Sequence, residues 1–123
     1  MRKQYFFRPS PHGLLAWDVD RLVLLSRHFP VRAVALERIA ELDAPVLDDD
    51  KPASWRALVA HMQLVDEADL AYPIILAANG EVMDGRHRLA KALREGRRTI
   101  DAVQFSADPP PDFVGKAPSE LPY

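Results

Sequence analysis

Tyr72–Arg98 reads YPIILAANGEVMDGRHRLAKALREGRR, and this stretch parses as strand, turn, strand and helix. Pro73 stands where a strand can begin, because a missing N–H costs little at a strand's first residue. Ile74, Ile75 and Leu76 form a short apolar β-run. Asn79-Gly80 is a strong two-residue hairpin signal, returning the chain along Glu81, Val82 and Met83. Asp84 then reads as an N-cap, Gly85 permits a tight turn, the helix runs to about Glu95, and Gly96 closes it.

Charge is placed unevenly along that helix. Arg86, His87 and Arg88 crowd its N-terminus, where free N–H groups and the macrodipole already make the potential positive. Cations there are penalised unless an anion neutralises them, so a glycine, spare N–H groups and two arginines together point to a phosphate site. Arg94, Arg97 and Arg98 lie at the other end, where the dipole favours them and no ligand is required. The competing reading is structural: Asp84 only caps the helix, and the arginines pair with Asp48–Asp50 or Glu81.

Composition narrows the classes. The chain has 123 residues, enough for one domain with a modest core, and its 48% hydrophobic and 28% charged residues are those of an ordinary globular protein. There is no cysteine, which excludes disulfides, thiolate metal sites and a cysteine nucleophile, and agrees with a cytoplasmic location. No apolar run approaches the roughly 18 residues of a membrane span, and MRKQYFFRPS lacks the apolar region of a secretory signal. The net charge of −2 hides an asymmetry. Residues 85–98 hold six arginines and lysines against Glu95 alone, a net +5, so the rest of the chain carries −7. A small phosphorylated ligand suits that pattern better than a nucleic acid, whose binders are usually basic overall.

Outward from the central stretch the signals weaken. Residues 1–16 hold Tyr5, Phe6 and Phe7 beside Pro9 and Pro11, and read as an irregular arm packed on the domain or on a neighbouring copy, as in a homodimer. From Asp18 a helix is expected with Val19, Leu22, Val23 and Leu25 on its buried side; Pro30 ends it, and His28 falls near its last turn as a favourable C-terminal charge. Val31–Leu36 reads as a strand, and Glu37–Leu42 as either a helical turn or its continuation. Asp43–Pro52 is a loop whose three aspartates lack calcium-loop spacing, so no metal site is assigned. Ser54 caps a helix to about Val65, with Trp55, Leu58, Val59, Met62 and Val65 as a core stripe and His61 off it. Ile100–Phe105 is a further strand. Residues 106–123 hold five of the eleven prolines and read as an extended tail without a core.

The segment PIILAANGEVMDGRHRLAKAL resembles the signature of the ParB/sulfiredoxin superfamily, in which a strand leads into a G-x-H-R or G-x-R-R turn that opens a helix. Val34-Ala35-Leu36 with Ile39 resembles that domain's first strand, and Ile100–Phe105 the strand after the motif helix, so the resemblance spans about residues 31–105. It implies a phosphate clamp at Gly85, Arg86, His87 and Arg88, with ATP or CTP as ligand and Mg²⁺ bridging phosphate oxygens. It also sets Asp84 in the place of the acidic residue in the D-G-x-H-R turn of the superfamily's free serine kinase. That kinase needs a carboxylate from an earlier segment, for which Glu37 and Glu41 are the candidates. Sulfinic-acid reduction is excluded for want of cysteine, and the proline-rich tail in place of helix-turn-helix regions argues against sequence-specific DNA binding. The glycine-rich Walker pattern is absent as well.

The expected architecture is α+β, a small mixed sheet flanked by three or four helices, with an arm at 1–16, a ParB/sulfiredoxin-like domain at 17–105 and a tail at 106–123. The expected function is nucleotide binding on the Gly85–Arg88 turn, extending to phosphotransfer with Asp84 or Glu41 orienting the nucleophile or holding the metal. The alternatives are a non-enzymatic regulatory or protein-interaction module and, more remotely, a nucleic-acid-binding or nuclease domain.

Overall fold

In the computed structural model, which describes residues 3–45 and 54–123, the central hairpin of the sequence lies at one edge of a four-stranded mixed sheet. The chain runs β1 (Tyr5–Arg8), β2 (Leu15–Asp18), α1 (Val19–Ser26), β3 (Arg32–Ala35), α2 (Trp55–Glu67), β4 (Ile74–Leu76), β5 (Val82–Asp84), α3 (Arg86–Arg94), β6 (Thr99–Gln104) and β7 (Phe113–Val114). The central strands stand in the order β3-β6-β4-β5; β4 runs parallel to β6, and the other two pairings are antiparallel. The fold is therefore α+β. Asp48–Asp50 lie outside the described residues.

Side-chain alternation on these strands divides the core in two. Ile74, Leu76 and Val82 face α3 and pack with Leu89, Ala92, Ile100 and Ala102, together with Leu36 and Ile39 from the 3₁₀ turns Leu36–Arg38 and Ala40–Asp43. Ile75, Met83, Val103 and Phe105 face the other way, onto Phe6, Trp17 and Leu22. The open reading of Glu37–Leu42 thus resolves as helical turns.

The hairpin turn is longer than Asn-Gly alone predicts. Gly80 N–H bonds Ala77 O at 2.9 Å and Ala77 N–H bonds Glu81 O at 2.8 Å; within this turn only Gly80 has positive φ, at 91°. A two-residue turn of the I′ type would need Asn79 there too, so the chain uses three loop residues and its return strand starts one position late. At the far end of α3, Gly96 takes φ 75°, with Gly96 N–H on Leu93 O and Arg97 N–H on Ala92 O, as a glycine-closed helix requires.

The arm and tail correct the sequence reading. β1 pairs with β2 and β2 with β7, giving a second, antiparallel three-stranded sheet over the Phe6–Trp17 cluster. Pro9 and Pro11 do forbid a long helix, but they fall after β1 and in its turn, where no ladder N–H is needed. The tail is bonded in as well: Trp17 Nε1 donates to Pro109 O at 2.8 Å, Arg21 to Pro110 O at 2.9 Å, and Asp18 N–H to Asp112 at 2.8 Å. Prolines offer carbonyls although they lack N–H, and Leu121 is buried. Arg8 joins three regions, reaching Glu81 at 2.9 Å and Asp108 at 3.0 Å while lying over the Trp17 ring.

The helices hold two further corrections. α1 buries Val19, Leu22 and Ser26 and leaves Val23 and Leu25 exposed, because it touches the core along a narrow strip. It also stops at Ser26, short of His28 and Pro30. In α2 only Val65 of the expected stripe is buried; Trp55, Leu58, Val59 and Met62 face outward. No helix among the described residues is long and apolar enough to cross a membrane.

Candidate functional site

β5 passes into α3 with no loop between them, and Gly85 makes the junction. It stands at the N-cap position with φ 108° and ψ 24°, and no side chain caps the first turn. Asp84 is therefore the last residue of a strand and not the expected N-cap. A carboxylate could have taken that position, but Gly85 supplies the left-handed turn and Asp84 is claimed by Arg88, one helical turn on, at 2.9 Å. A Cβ on Gly85 would lie 2.5 Å from Ile74 Cγ2 and 3.1 Å from Arg88 Nη2. The glycine is thus demanded by its backbone angle and by the packing of α3 on β4, in addition to any ligand.

Arg88 is committed within the fold. Its second nitrogen donates to Pro73 O at 2.9 Å, and the side chain is only 16% exposed. Of the four residues expected as a clamp, Arg88 braces the turn, Gly85 shapes it, and Arg86 and His87 remain to face a ligand. Arg86 is exposed and makes no ion pair among the described residues. The first-turn N–H groups, which an α-helix cannot satisfy internally, open beside it.

All four residues line an open cleft of about 780 Å³, within the range of small-molecule sites. Asp84 lines it too, as do Gln4, Tyr5 and Phe7 from the N-terminal strand region, Tyr72 from the loop before β4, and Tyr123 from the tail. Glu41 is placed elsewhere. Its carboxylate accepts the Val82 N–H at the free edge of β5, and it lines a smaller apolar pocket of about 320 Å³ with His61, Leu89 and Leu93. Arg86 borders both spaces. Asp84 and Glu41 therefore do not share one cleft.

His61, which α2 supplies, meets His87 with ring centroids 5.0 Å apart and planes tilted by 54°. Burial, and then the neighbouring His61, hold the His87 imidazole below its ordinary pKa, while Asp84 pulls it upward. At neutral pH the ring is consequently an uncharged hydrogen-bonding group. Among the described residues no group of three or more histidines, aspartates and glutamates is arranged to hold a metal ion.

Sequence reasoning missed the aromatic side of the cleft. Tyr5, Phe7 and Tyr123 carry no periodic signal, since the contacts that join Tyr5 to Pro122 and Tyr123 bring together opposite ends of the chain. His61 was distinguishable only as a histidine off the apolar stripe. Compared with known proteins, the chain matches no family model, no curated protein and no solved structure.

Proposed function

We propose that this chain binds a nucleoside polyphosphate, ATP or CTP, with its phosphates at the Gly85–Arg88 turn. The observation that carries the reading is the first turn of α3: it has no side-chain cap, opens on the 780 Å³ cleft, and is flanked by Arg86, which has no carboxylate partner among the described residues. Uncapped N–H groups, the positive end of the dipole and an unneutralised guanidinium together suit a phosphate. The likeness of the D-G-R-H-R turn to ParB/sulfiredoxin-type sequences supports the same reading, and a cytoplasmic setting goes with it.

Mg²⁺ accompanying the nucleotide would be held by phosphate oxygens and by the Asp84 carboxylate oxygen that Arg88 does not engage. When bound it would neutralise charge on the phosphates. Binding without turnover is the form the contacts favour, because Asp84 is held by Arg88 and Glu41 by the β5 edge, so neither is free to serve as a base. A thermal-shift and calorimetric screen of ATP, CTP, GTP and UTP with and without Mg²⁺ tests the proposal. At a hundredfold excess over Kd, stabilisation of about 2.7 kcal/mol is expected, a rise of several degrees in melting temperature. No shift with any nucleotide or with inorganic triphosphate would remove it.

A second reading, a protein-interaction module, is favoured by the outward ridge of Trp55, Val59 and Met62 on α2, with a second copy of the chain as its simplest occupant. Sedimentation across a concentration series, repeated with Val59→Glu, decides this. A monomer at every concentration excludes the homodimer.

A further inference from the structure

The loop from α2 to β4 is stapled to α3 at both ends. Lys91 Nζ donates to Asp66 O at 3.0 Å and to Ala68 O at 2.6 Å, and Arg88 grips Pro73 O. Between the staples, Asp69 closes a tight turn by accepting Ala71 N–H on its side chain at 2.9 Å and Tyr72 N–H on its carbonyl at 3.3 Å. Tyr72 follows, 65% exposed, on a backbone that cations of α3 hold in register with that helix's first turn. Tyr72 lines the same cleft as Arg86 and His87, and its ring meets no other aromatic ring among the described residues. Tyrosine joins an apolar ring to a polar tip and is enriched at binding surfaces, so one displayed over a cleft on a braced turn is placed to meet a ligand.

We infer that Tyr72 is the stacking platform for the base of the nucleotide whose phosphates rest on α3, an inference that rests on the phosphate-site reading above. A base has an apolar face that gains by leaving water, and Tyr72 offers a flat partner with few rotatable bonds and a backbone already ordered. The site then prefers nucleoside polyphosphates over bare polyphosphate. Because stacking reads a π-face and not an edge, Tyr72 supplies affinity common to purines and pyrimidines.

Titration of wild type, Tyr72→Ala and Tyr72→Phe with ATP, CTP and inorganic tripolyphosphate tests this, with melting temperatures checking that each variant is folded. Loss of the ring should weaken both nucleotides about tenfold, as base–aromatic stacking implies. Tyr72→Phe should bind them like wild type, and tripolyphosphate should bind all three proteins equally. If Tyr72→Ala keeps wild-type affinity for the nucleotides, or loses nucleotide and tripolyphosphate alike, the platform is refuted while the phosphate site stands. If wild type binds neither nucleotide nor tripolyphosphate, the phosphate site falls and the platform with it.

Discussion

Helices α2 and α3 pack side by side and orient their apolar residues in opposite directions. α3 turns Leu89 and Ala92 onto the central sheet and closes one half of the core. α2 turns Trp55, Val59 and Met62 away from the protein, 83%, 59% and 52% exposed, and meets its neighbour through His61 and the Asp66–Arg94 pair. Both helices show apolar residues at helical spacing. The difference teaches that periodicity announces a face needing cover and leaves open what covers it. α3 rises directly from β5, so its apolar face must fall on the sheet; α2 enters from a long connection and is docked by polar contacts to α3 and its loop.

If α3 is the structural helix of the pair, its seat should be the most sensitive point. Gly85→Val places a branched side chain at positive φ against Ile74, and strain plus overpacking should cost about 4 kcal/mol. Chemical denaturation measures it; a loss below about 1 kcal/mol would mean the β5–α3 junction relaxes freely. Next in size, Leu89→Ala should cost about 3 kcal/mol through the cavity it leaves, whereas Met62→Ala on α2 should stay within about 0.5 kcal/mol. Equal losses would show that the α2 ridge is covered in solution, which turns the contrast into evidence for a partner.

The arginines sharpen the comparison within α3 itself. Arg88→Ala strands Asp84 and frees Pro73 O, and should cost about 2 kcal/mol. Arg94→Ala removes an exposed pair with Asp66, for which about 0.5 kcal/mol is expected. Thermal melts of both variants at moderate salt check the ranking. The smallest effect concerns the contact between the helices. Because burial and His61 depress the folded pKa of His87, the folded state disfavours its proton. Stability should therefore be intact above the ordinary histidine value near 6.5 and decline as pH falls below it. His87→Gln should flatten that decline; an unchanged pH profile would detach the histidine pair from it.

What the chain revealed in advance follows from the range of its interactions. Pro73, the Asn79-Gly80 turn and Gly96 act on adjacent backbone, so the hairpin and α3 could be read residue by residue. Asp84 was misread because two local signals competed, and the backbone freedom of Gly85 prevailed over a cap that Arg88 had already claimed. β7 was invisible because its partner β2 lies almost a chain length away, and no local pattern records such a pairing. β1 and β2 are neighbours in sequence, but Pro9 and Pro11 between them masked a hairpin as an irregular arm. The candidate site divides in the same way. Its cationic turn is contiguous in sequence, whereas His61, Tyr5, Phe7 and Tyr123 reach it only through tertiary packing.

The three-stranded sheet has a consequence for how the molecule comes into being. Leu15 pairs with Val114, so this sheet closes a loop of nearly the whole polypeptide. Loop closure grows only slowly with length in equilibrium cost, but such contacts are entropically deferred in time and dominate the search. The β4–β5 hairpin, α3 and the β1–β2 pair that joins Phe6 to Trp17 can assemble from neighbours, while Leu15 and Ala16 wait for β7. Until β7 arrives, the aromatic half of the core has an open edge, and a nascent chain in that interval presents the surface on which chaperones and misassembly compete.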